Sequence, residues 1–361
     1  MNFYSLKIVE VRKETSDAVS LFLEVPSELK ETFKYRAGQY LTLRFNLNGE
    51  ELRRAYSMCS SPLEDHLAVT VKRVPDGRVS THVNSSIQVG DRIEVSEPEG
   101  RFGPKLDGDN RKDYYFVAAG SGITPVYSIM KTILEEEPLS TVSLLYGNRS
   151  TDSIIFQEGL ERLKARYEGQ LFIVHTLSQA PKKKGWFSKG DDQWEGWKGR
   201  IDATMLKRFL KEFPGTSSGT SEFFLCGPGA MIELVHATLE KTGIDKRHIH
   251  AEYFTTPDEP KSATADTGSV DSLVKAELNG VWVEVRVAPG KTILDALIAQ
   301  KFDPPYSCTS GSCSTCMAKL QEGKVDMEVC YALDEDEVAE GYILTCQAHP
   351  KTAEVKLTYD V

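Results

Sequence analysis

Four cysteines near the end of the chain constrain its fold more than any other feature. Cys308, Cys313 and Cys316 are separated by four and then two residues, and Cys346 follows after 29 more. This C-x4-C-x2-C…C spacing is that of a plant-type 2Fe–2S cluster, which needs four thiolates around two irons. The residues between the first three cysteines are glycine, serine and threonine, so backbone N–H groups can approach the sulfurs. The sequence therefore predicts an iron–sulfur site in the tail.

Two alternatives for this segment stay open. The first is a structural zinc site, although zinc sites favour pairs of C-x2-C and this segment has one such pair. The second is that Cys330 replaces Cys346 as the fourth ligand. Cys330 precedes a predicted acidic helix, whereas Cys346 ends the apolar run YILTC, which we predict to be a strand. We therefore predict the ligands to be Cys308, Cys313, Cys316 and Cys346.

Composition narrows the class of protein. A chain of 361 residues is long enough for two or three domains, and no apolar run approaches the length of a membrane helix. The net charge of −10 argues against non-specific binding of nucleic acid. Seven cysteines without a visible secretory signal indicate thiols kept in a reducing compartment. We expect a cytoplasmic protein with neither a membrane nor a nucleic-acid partner.

Hydrophobic patterns divide the chain into four segments. Residues 1–107 carry short alternating runs between turn residues, which predict an antiparallel β-barrel. Residues 108–255 alternate apolar strands with helices, as in a parallel α/β sheet. Residues 256–271 are rich in Pro, Ser, Thr and Asp and are predicted to be a linker that lets the tail move. Residues 272–361 begin with a hairpin around Asn279–Gly280 and form a small α+β domain.

A glycine turn follows the first strand of the α/β segment. Gly120, Gly122, Thr124 and Pro125 lie in the sequence GSGITP, which differs from the Rossmann G-x-G-x-x-G because proline replaces the third glycine. The glycines let the backbone approach a pyrophosphate at the helix N-terminus, and Thr124 adds a hydroxyl. Proline suits the first turn of a helix, where its missing N–H is no loss.

The next strand ends in a second candidate segment, Asn148-Arg149-Ser150. The carboxyl ends of parallel strands bind the adenosine half of a dinucleotide, often with an acidic residue on the ribose. An acidic residue is missing from this segment, whereas Arg149 and Ser150 can pair with a 2′-phosphate. This favours NADPH over NADH. A solvated Arg149 remains an alternative, and Arg200 is a second candidate for the phosphate.

With its three predicted domains in this order, the chain resembles the ferredoxin–NADP reductase superfamily in its oxygenase-reductase branch. The resemblance covers essentially all 361 residues. It implies an FAD-binding barrel in residues 1–107, an NAD(P)-binding α/β domain in residues 108–255, and a β-grasp ferredoxin domain in residues 272–361.

The resemblance also implies the flavin residues. Arg54, Tyr56 and Ser57 match the family's Arg-x-Tyr-Ser segment, in which arginine holds the FAD pyrophosphate, tyrosine faces the isoalloxazine and serine lies near N5. A surface strand that happens to carry an arginine is the alternative. A second matching segment, which binds the other phosphate through backbone amides and hydroxyls, comprises Val71, Lys72, Gly77, Val79, Ser80 and Thr81.

Further residues follow from the same resemblance. The segment Cys226-Gly227-Pro228 matches the family segment that flanks the nicotinamide ring, and Phe254 matches the aromatic residue that completes the flavin face. A packed thiol and ordinary core packing, respectively, are the alternatives for Cys226 and Phe254. Residues 181–199 carry three tryptophans and a lysine run, which we interpret as an extended surface loop, with a lid or partner contact as the alternative.

The predicted function is an electron-transfer chain from NADPH through FAD and the 2Fe–2S cluster to a partner. The resemblance implies that the partner is an oxygenase that acts on an aromatic-acid coenzyme A thioester. From Ser272 onward the chain has eight Lys or Arg and 14 Asp or Glu, a net charge of −6, which predicts a basic docking patch on the partner. A reductase for another hydroxylase and a redox-sensing binding module are the alternatives.

Overall fold

The N-terminal part folds into an antiparallel sheet. The structure is a computed structural model that describes residues 1–180, 194–215, 221–254 and 269–361. The first six strands form one sheet in the order β4–β3–β6–β1–β2–β5. They are β1 (Phe3–Thr15), β2 (Ala18–Glu24), β3 (Tyr40–Leu47), β4 (Glu50–Ser57), β5 (Leu67–Lys72) and β6 (Arg92–Ser96). A bridge between Met58, directly after β4, and Val69 of β5 joins the two edge strands.

Alternation along these strands creates the core, because successive side chains in a strand point to opposite faces. Leu6 and Ile8 of β1 are fully buried, as are Leu41 and Leu43 of β3. A short helix, α1 (Arg78–Ser85), follows β5. The sequence prediction missed α1, since RVSTHVNS is too polar and too short to show a clear helical period.

The middle part is a parallel sheet, as predicted. Its order is β10–β9–β8–β7–β11–β12, and β10, β9, β8, β7 and β11 pair in parallel. Helices α2 to α5 connect or follow these strands. The elements are β7 (Asp113–Ala119), α2 (Ile123–Glu136), β8 (Thr141–Asn148), α3 (Gln157–Arg166), β9 (Leu171–Leu177), β10 (Trp197–Lys198), α4 (Ala203–Glu212), β11 (Ser221–Gly227), α5 (Gly229–Lys241) and β12 (Ile249–Tyr253).

The strand order of this sheet reverses at β7. The chain continues from β7 to β8 on one side, and β11 lies on the other side. Ligands of open α/β sheets bind beyond the carboxyl ends of the strands at such a reversal. A ligand site is therefore expected at the carboxyl ends of β7, β8 and β11.

The tail is a small α+β fold, also as predicted. Its main sheet has the order β14–β13–β19–β15–β17, and β16 pairs with β18. Asn279 and Gly280 have φ values of 51° and 74°, which confirms the predicted hairpin turn between β13 and β14. The elements are β13 (Ser272–Leu278), β14 (Val281–Val287), α6 (Ile293–Ala299), β15 (Met317–Glu322), β16 (Val325–Met327), α7 (Glu335–Ala339), β17 (Tyr342–Leu344), β18 (Ala348–Pro350) and β19 (Glu354–Thr358).

Contacts divide the chain into two compact units. One comprises Met1–Phe3, Thr42–Ala55 and Glu252–Val361, and the other Tyr4–Leu41 and Tyr56–Ala251. The predicted boundaries of the three domains stay a prediction. Most of the predicted linker 256–271 and of the tryptophan-rich segment 181–199 lies outside the described residues. Among the described helices, none is long and apolar enough to cross a membrane.

Candidate functional site

The structure brings together the four cysteines that the spacing selects. Cys308, Cys313 and Cys316 lie in the loop between α6 and β15, and Cys346 lies between β17 and β18. The Cys308 thiol is in hydrogen-bond contact with Cys313 and Cys346, and Cys346 is in turn in contact with Cys316. The prediction that Cys346 ends a strand was wrong, because β17 ends at Leu344 and Cys346 belongs to the turn that follows.

Cys330 does not join this group. Its thiol accepts a hydrogen bond from the backbone of Leu333, and burial raises its pKa. It packs against the apolar cluster that contains Cys316 and Cys346, together with Leu294 and Leu344. The geometry therefore favours Cys346 over Cys330 as the fourth thiol.

The thiols share negative charge unequally. The pKa of Cys308 lies far below its usual range because its sulfur accepts hydrogen bonds from Cys313 and Cys346. The pKa values of Cys313 and Cys346 are raised because their thiols donate to Cys308, and burial raises both further. Four sulfurs in contact, three of them on buried cysteines and that of Cys308 on a partly buried one, are the donor set that iron–sulfur clusters use. Within the described ranges no group of three or more His, Cys, Asp or Glu is arranged for a single metal ion, whereas a two-iron cluster shares its four thiolates between two irons.

The ligand loop turns polar hydrogens toward sulfur, as its small residues predicted. The Ser310 N–H donates to Cys308 Sγ at 3.4 Å, and the Cys308 N–H donates to Cys313 Sγ at 3.5 Å. Gln347 Nε2 adds a third donor, 3.4 Å from Cys346 Sγ. The sequence analysis missed Gln347, although its position directly after Cys346 was a usable signal. Hydrogen bonds to the sulfurs tune the reduction potential of a cluster.

Gly311 makes this loop conformation possible. Its φ is +72°, and a Cβ at this position would lie 2.8 Å from Cγ2 of Val329 and 3.1 Å from the Val329 carbonyl oxygen. Any larger residue would therefore combine a left-handed backbone with a steric overlap. The residues present fit a 2Fe–2S cluster in thiol number, donor type and loop shape.

In the parallel sheet, the ends of β7 and β11 approach each other at the glycine turn. A Cβ at Gly122 would lie 2.1 Å from the Cys226 carbonyl oxygen and 2.7 Å from the Gly227 nitrogen. The hydroxyl of Tyr146, which is fully buried, donates to the Gly120 carbonyl at 3.0 Å. The turn from Gly120 to Gly122 leads directly into α2. Glycine is required here because two backbones nearly touch.

Thr124 and Pro125 shape this turn from inside. Both are buried in the first turn of α2, and the Thr124 hydroxyl donates to the Ser121 carbonyl at 3.1 Å. The ammonium group of Lys72 lies 4.0 Å from the Cβ position of Gly120 and 3.8 Å from Asp17 Oδ2. A helix N-terminus with a lysine beside it attracts an anion.

The residues after β8 differ in exposure. Asn148 is 8% exposed, and both atoms of its side-chain amide lack a hydrogen-bond partner among the described residues. Arg149 is exposed, and its carbonyl accepts the Gln179 N–H at 2.9 Å. Ser150 caps the short turn that follows, in a reciprocal arrangement with Ser153. An unpartnered buried amide at the carboxyl edge of the sheet is suited to a polar ligand.

The predicted flavin segment lies on β4, and the second segment forms the end of β5 and the start of α1. Arg54 Nη1 donates to the Arg53 carbonyl at 2.7 Å, Tyr56 is partly buried and Ser57 is buried. The Ser80 hydroxyl accepts the Val74 N–H at 3.1 Å and donates to the Gly77 carbonyl at 3.2 Å, so it holds the loop before the helix. The backbone of Val79, Ser80 and Thr81 thus belongs to the first turn of α1. The first N–H groups of a helix have no partner within the helix, and this is the property on which the predicted phosphate contact depends. Val71 is buried on β5, which ends at Lys72.

The two residues predicted to contact the reacting rings occupy different units. Cys226 is fully buried at the end of β11, next to Gly227 and Pro228. Phe254 directly follows β12 and is partly buried.

Three family descriptions match successive parts of the chain. Residues 5–103 match the oxidoreductase FAD-binding domain, residues 116–237 the oxidoreductase NAD-binding domain, and residues 276–351 the 2Fe-2S iron-sulfur cluster binding domain. The predicted cofactors, FAD, a nicotinamide nucleotide and a 2Fe–2S cluster, are thereby confirmed, as is their order along the chain.

Relatives match over the whole length. One component of the 1,2-phenylacetyl-CoA epoxidase of Escherichia coli is 37% identical and covers 99% of this chain and 98% of its own. The ferredoxin reductase component of the 3-ketosteroid-9-alpha-monooxygenase of Rhodococcus rhodochrous is 35% identical, covering 98% of this chain and 96% of its own. Among solved structures, phthalate dioxygenase reductase matches with a TM-score of 0.60 and 25% identity over 99% of this chain and 98% of its own.

Proposed function

The chain belongs to the ferredoxin reductase-type components of multicomponent oxygenases, an NAD(P)H-dependent oxidoreductase family, and on this premise we propose that it oxidises NADPH and supplies electrons to a phenylacetyl-CoA epoxidase. The observation that carries the proposal is full-length similarity to the epoxidase component from Escherichia coli, together with the four converging thiols. A ketosteroid monooxygenase is the second candidate for the acceptor, because its reductase component is nearly as similar.

The residues proposed for FAD lie on β4, at the end of β5, around the start of α1 and directly after β12. Arg54 would hold the pyrophosphate as a permanently charged fork, while Tyr56 and Ser57 would border the isoalloxazine. The first-turn amides of α1 around Val79 to Thr81 would bind the other phosphate, with Gly77 and Lys72 next to them. Phe254 would complete the flavin face. When bound, FAD accepts two electrons as a hydride and releases them singly.

The nucleotide would bind at the carboxyl ends of β7, β8 and β11. Gly120, Gly122 and the N-terminus of α2 would hold its pyrophosphate, and Asn148 would donate or accept hydrogen bonds beside it. Exposed Arg149, with Ser150, would pair with the 2′-phosphate and give a preference for NADPH. Gly227 and Pro228 would leave space for the nicotinamide next to Cys226.

Cys308, Cys313, Cys316 and Cys346 would ligate the 2Fe–2S cluster, which accepts one electron at a time. The thiols fit a reducing compartment, so we propose a cytoplasmic location.

The acidic segment around α7 is the proposed docking surface for the oxygenase. Asp334, Glu335 and Asp336 are exposed, and Asp334 caps the helix by accepting the Glu337 N–H at 2.8 Å. A partner with a basic patch would be steered toward it, and salt screens such attraction over about 10 Å at 0.1 M. If this surface guides docking, the second-order rate of electron delivery falls steeply as salt rises. A rate independent of ionic strength would contradict it.

The ligand assignment is tested by a matched pair of cysteine variants. Cys313→Ser removes a thiol from the contact group, so the visible absorbance and the EPR signal of the reduced cluster should disappear while NADPH still reduces the flavin. Cys330→Ser removes a neighbouring thiol outside the group and should retain both signals. Loss of the cluster in Cys330→Ser with retention in Cys313→Ser would reverse the assignment.

The nucleotide preference is tested by Arg149→Ala, with Arg200→Ala for comparison. Loss of one charge-assisted pair with phosphate costs about 1.5–3 kcal/mol, which corresponds to a roughly 10- to 150-fold rise in KM for NADPH. The KM for NADH should change little. Equal changes for the two nucleotides would exclude a 2′-phosphate contact, and a selective change in Arg200→Ala alone would move that contact to Arg200.

The acceptor is tested with purified oxygenases. NADPH-dependent turnover is measured with a phenylacetyl-CoA epoxidase and, separately, with a ketosteroid monooxygenase. Faster electron delivery to the epoxidase is the expected result. Preference for the steroid enzyme would transfer the proposal to the second candidate.

A further inference from the structure

Arg53 is a buried charge outside the proposed cofactor contacts. It lies on β4, directly before Arg54, and is 3% exposed. Its Nη2 donates to Asp303 Oδ1 and to Glu51 Oε1, both at 2.7 Å, and its Nε donates to Glu51 Oε1 at 2.8 Å. Its guanidinium carbon also lies 4.4 Å from the ring centre of Tyr306 and 5.1 Å from that of Phe3.

These contacts reach the ligand loop. Asp303 and Tyr306 belong to the segment between α6 and Cys308, and Ser307 alone separates Tyr306 from that ligand. Tyr306 also packs against the apolar cluster that includes Cys316 and Cys346. Arg53 on β4 therefore holds the start of the ligand loop through its contacts with Asp303 and Tyr306.

A second anchor holds the same loop from the end of β12. The rings of Tyr253 and Tyr331 are stacked, with centroids 4.4 Å apart and planes at 24°. The N–H groups of Tyr331 and Ala332 both donate to the Gly311 carbonyl at 3.1 Å. The stack thus connects β12 to the glycine between the first two ligand cysteines.

Both anchors are immediate chain neighbours of residues proposed to contact FAD, namely Arg54 and Phe254. We propose that Arg53 is a positioning residue for electron transfer: by holding Asp303 and Tyr306 it fixes the ligand loop relative to the flavin-binding strand β4. The inference rests on the proposed function, which supplies the two cofactors. Arginine is suited to this task because its planar fork binds two carboxylates while its face stacks on aromatic rings.

The test uses the full-length holoprotein and the variants Arg53→Gln, Asp303→Asn and their double variant. After anaerobic mixing with NADPH, stopped-flow absorbance follows flavin reduction and then cluster reduction. Arg53→Gln and Asp303→Asn should reduce the flavin at the wild-type rate and the cluster about tenfold or more slowly. The two residues act through one contact. The fold decrease in the cluster-reduction rate of the double variant should therefore be smaller than the product of the two single-variant decreases.

A second readout does not depend on turnover. Amide hydrogen exchange in the segment 302–311 should accelerate about tenfold or more in Arg53→Gln and Asp303→Asn, since local opening sets exchange. Arg286→Gln is the matched control. It breaks the ion pair between Arg286 and Asp271, which belongs to the same unit, but the Arg286 side chain is 74% exposed. It should change neither exchange in 302–311 nor cluster reduction.

The outcomes separate this inference from the proposed function. Wild-type cluster reduction and unchanged exchange in both single variants would overturn the positioning role. Slow flavin reduction or loss of FAD in Arg53→Gln, with normal behaviour of Asp303→Asn, would also overturn it, since the effect would then come from neighbouring Arg54. Failure of NADPH to reduce the flavin in the unmodified protein would refute the proposed function instead, and the exchange measurement would still decide whether Arg53 holds the loop.

Discussion

Replacing Gly122 with alanine is the sharpest test of the site at the ends of β7 and β11. The φ of Gly122 is −61°, which alanine adopts without strain, so the effect of the substitution is purely steric. Its new methyl carbon would lie 2.1 Å from the Cys226 carbonyl oxygen, 2.4 Å from the Cys226 carbonyl carbon and 2.7 Å from the Gly227 nitrogen. All three atoms belong to the backbone, so no side chain can rotate away.

Relief of this overlap requires the end of β11 to move away from the glycine turn. Overpacking of this kind costs about 1–3 kcal/mol. If the free folded protein bears this cost, its free energy of unfolding falls by the same amount. If instead the turn shifts out of its binding conformation, the Kd for NADPH rises roughly 5- to 150-fold, since each 1.4 kcal/mol is a factor of ten.

The assay combines urea unfolding with fluorescence titration of NADPH, and Gly108→Ala is the matched control. Gly108 lies in a surface turn, and a Cβ there would lie 3.6 Å from the Glu136 carbonyl oxygen, an ordinary contact. Gly108→Ala should therefore change neither quantity. If Gly122→Ala is as stable as Gly108→Ala and binds NADPH equally well, the close approach of the two strand ends is not a requirement of the site, and our reasoning about the turn fails.

Three other substitutions test the flavin segment and two buried titratable residues, Glu137 and His175. Arg54→Ala should yield protein with little FAD, as measured by the ratio of flavin to protein absorbance. Glu137 is fully buried and accepts hydrogen bonds from the Asp107 N–H, Asn110, Tyr114 and Ser140. Glu137→Ala would leave these donors without a partner, so it should lower the free energy of unfolding by about 3–5 kcal/mol. Glu136→Ala, at the exposed neighbouring position, should have little effect. Burial lowers the pKa of His175 from 6.5 to about 4, so its contribution to stability is complete above pH 6.5 and is lost as the pH falls toward 4, by at most about 1.4 kcal/mol per pH unit. His175→Phe should therefore flatten the decline in stability between pH 6.5 and 4 in urea titrations, and an unchanged slope would refute the assignment.

Sequence predicted those parts of the molecule in which chemistry dictates residue type and spacing. A 2Fe–2S cluster requires thiolates at particular intervals, so the cysteine spacing identified the candidates, and the fold brings the same four thiols into contact. The turn Gly120–Gly122 was predicted as a place where the backbone can approach a pyrophosphate, and the structure adds that Gly122 lies against the backbone at the end of β11. The glycine turn and the first three cysteines each lie within a short stretch of chain, whereas Cys346 had to be chosen over Cys330 from a more distant segment.

Contacts between distant positions could not be predicted in this way. Arg53 and Asp303 are 250 residues apart, and nothing in the local sequence of either distinguishes the pair from exposed charges. Helix α1 was not predicted for a different reason. Its buried apolar residues are Val79 and Val83, which are too few to show a helical period in the sequence. Gln347 donates to sulfur because the turn after β17 directs it there, and that turn was predicted as strand.

The two anchors of the ligand loop also limit the motion that the predicted linker would allow. A charge-assisted hydrogen bond such as Arg53–Asp303 contributes about 1.5–3 kcal/mol, and an aromatic pair such as Tyr253–Tyr331 about 0.5–1.5 kcal/mol. Releasing both therefore costs roughly 2–4.5 kcal/mol, so both contacts are broken in roughly 0.05–3% of molecules. A partner that needs the released tail must supply that free energy on binding. If the oxygenase docks on the exposed face of α7, as proposed above, both contacts stay intact and this cost does not arise.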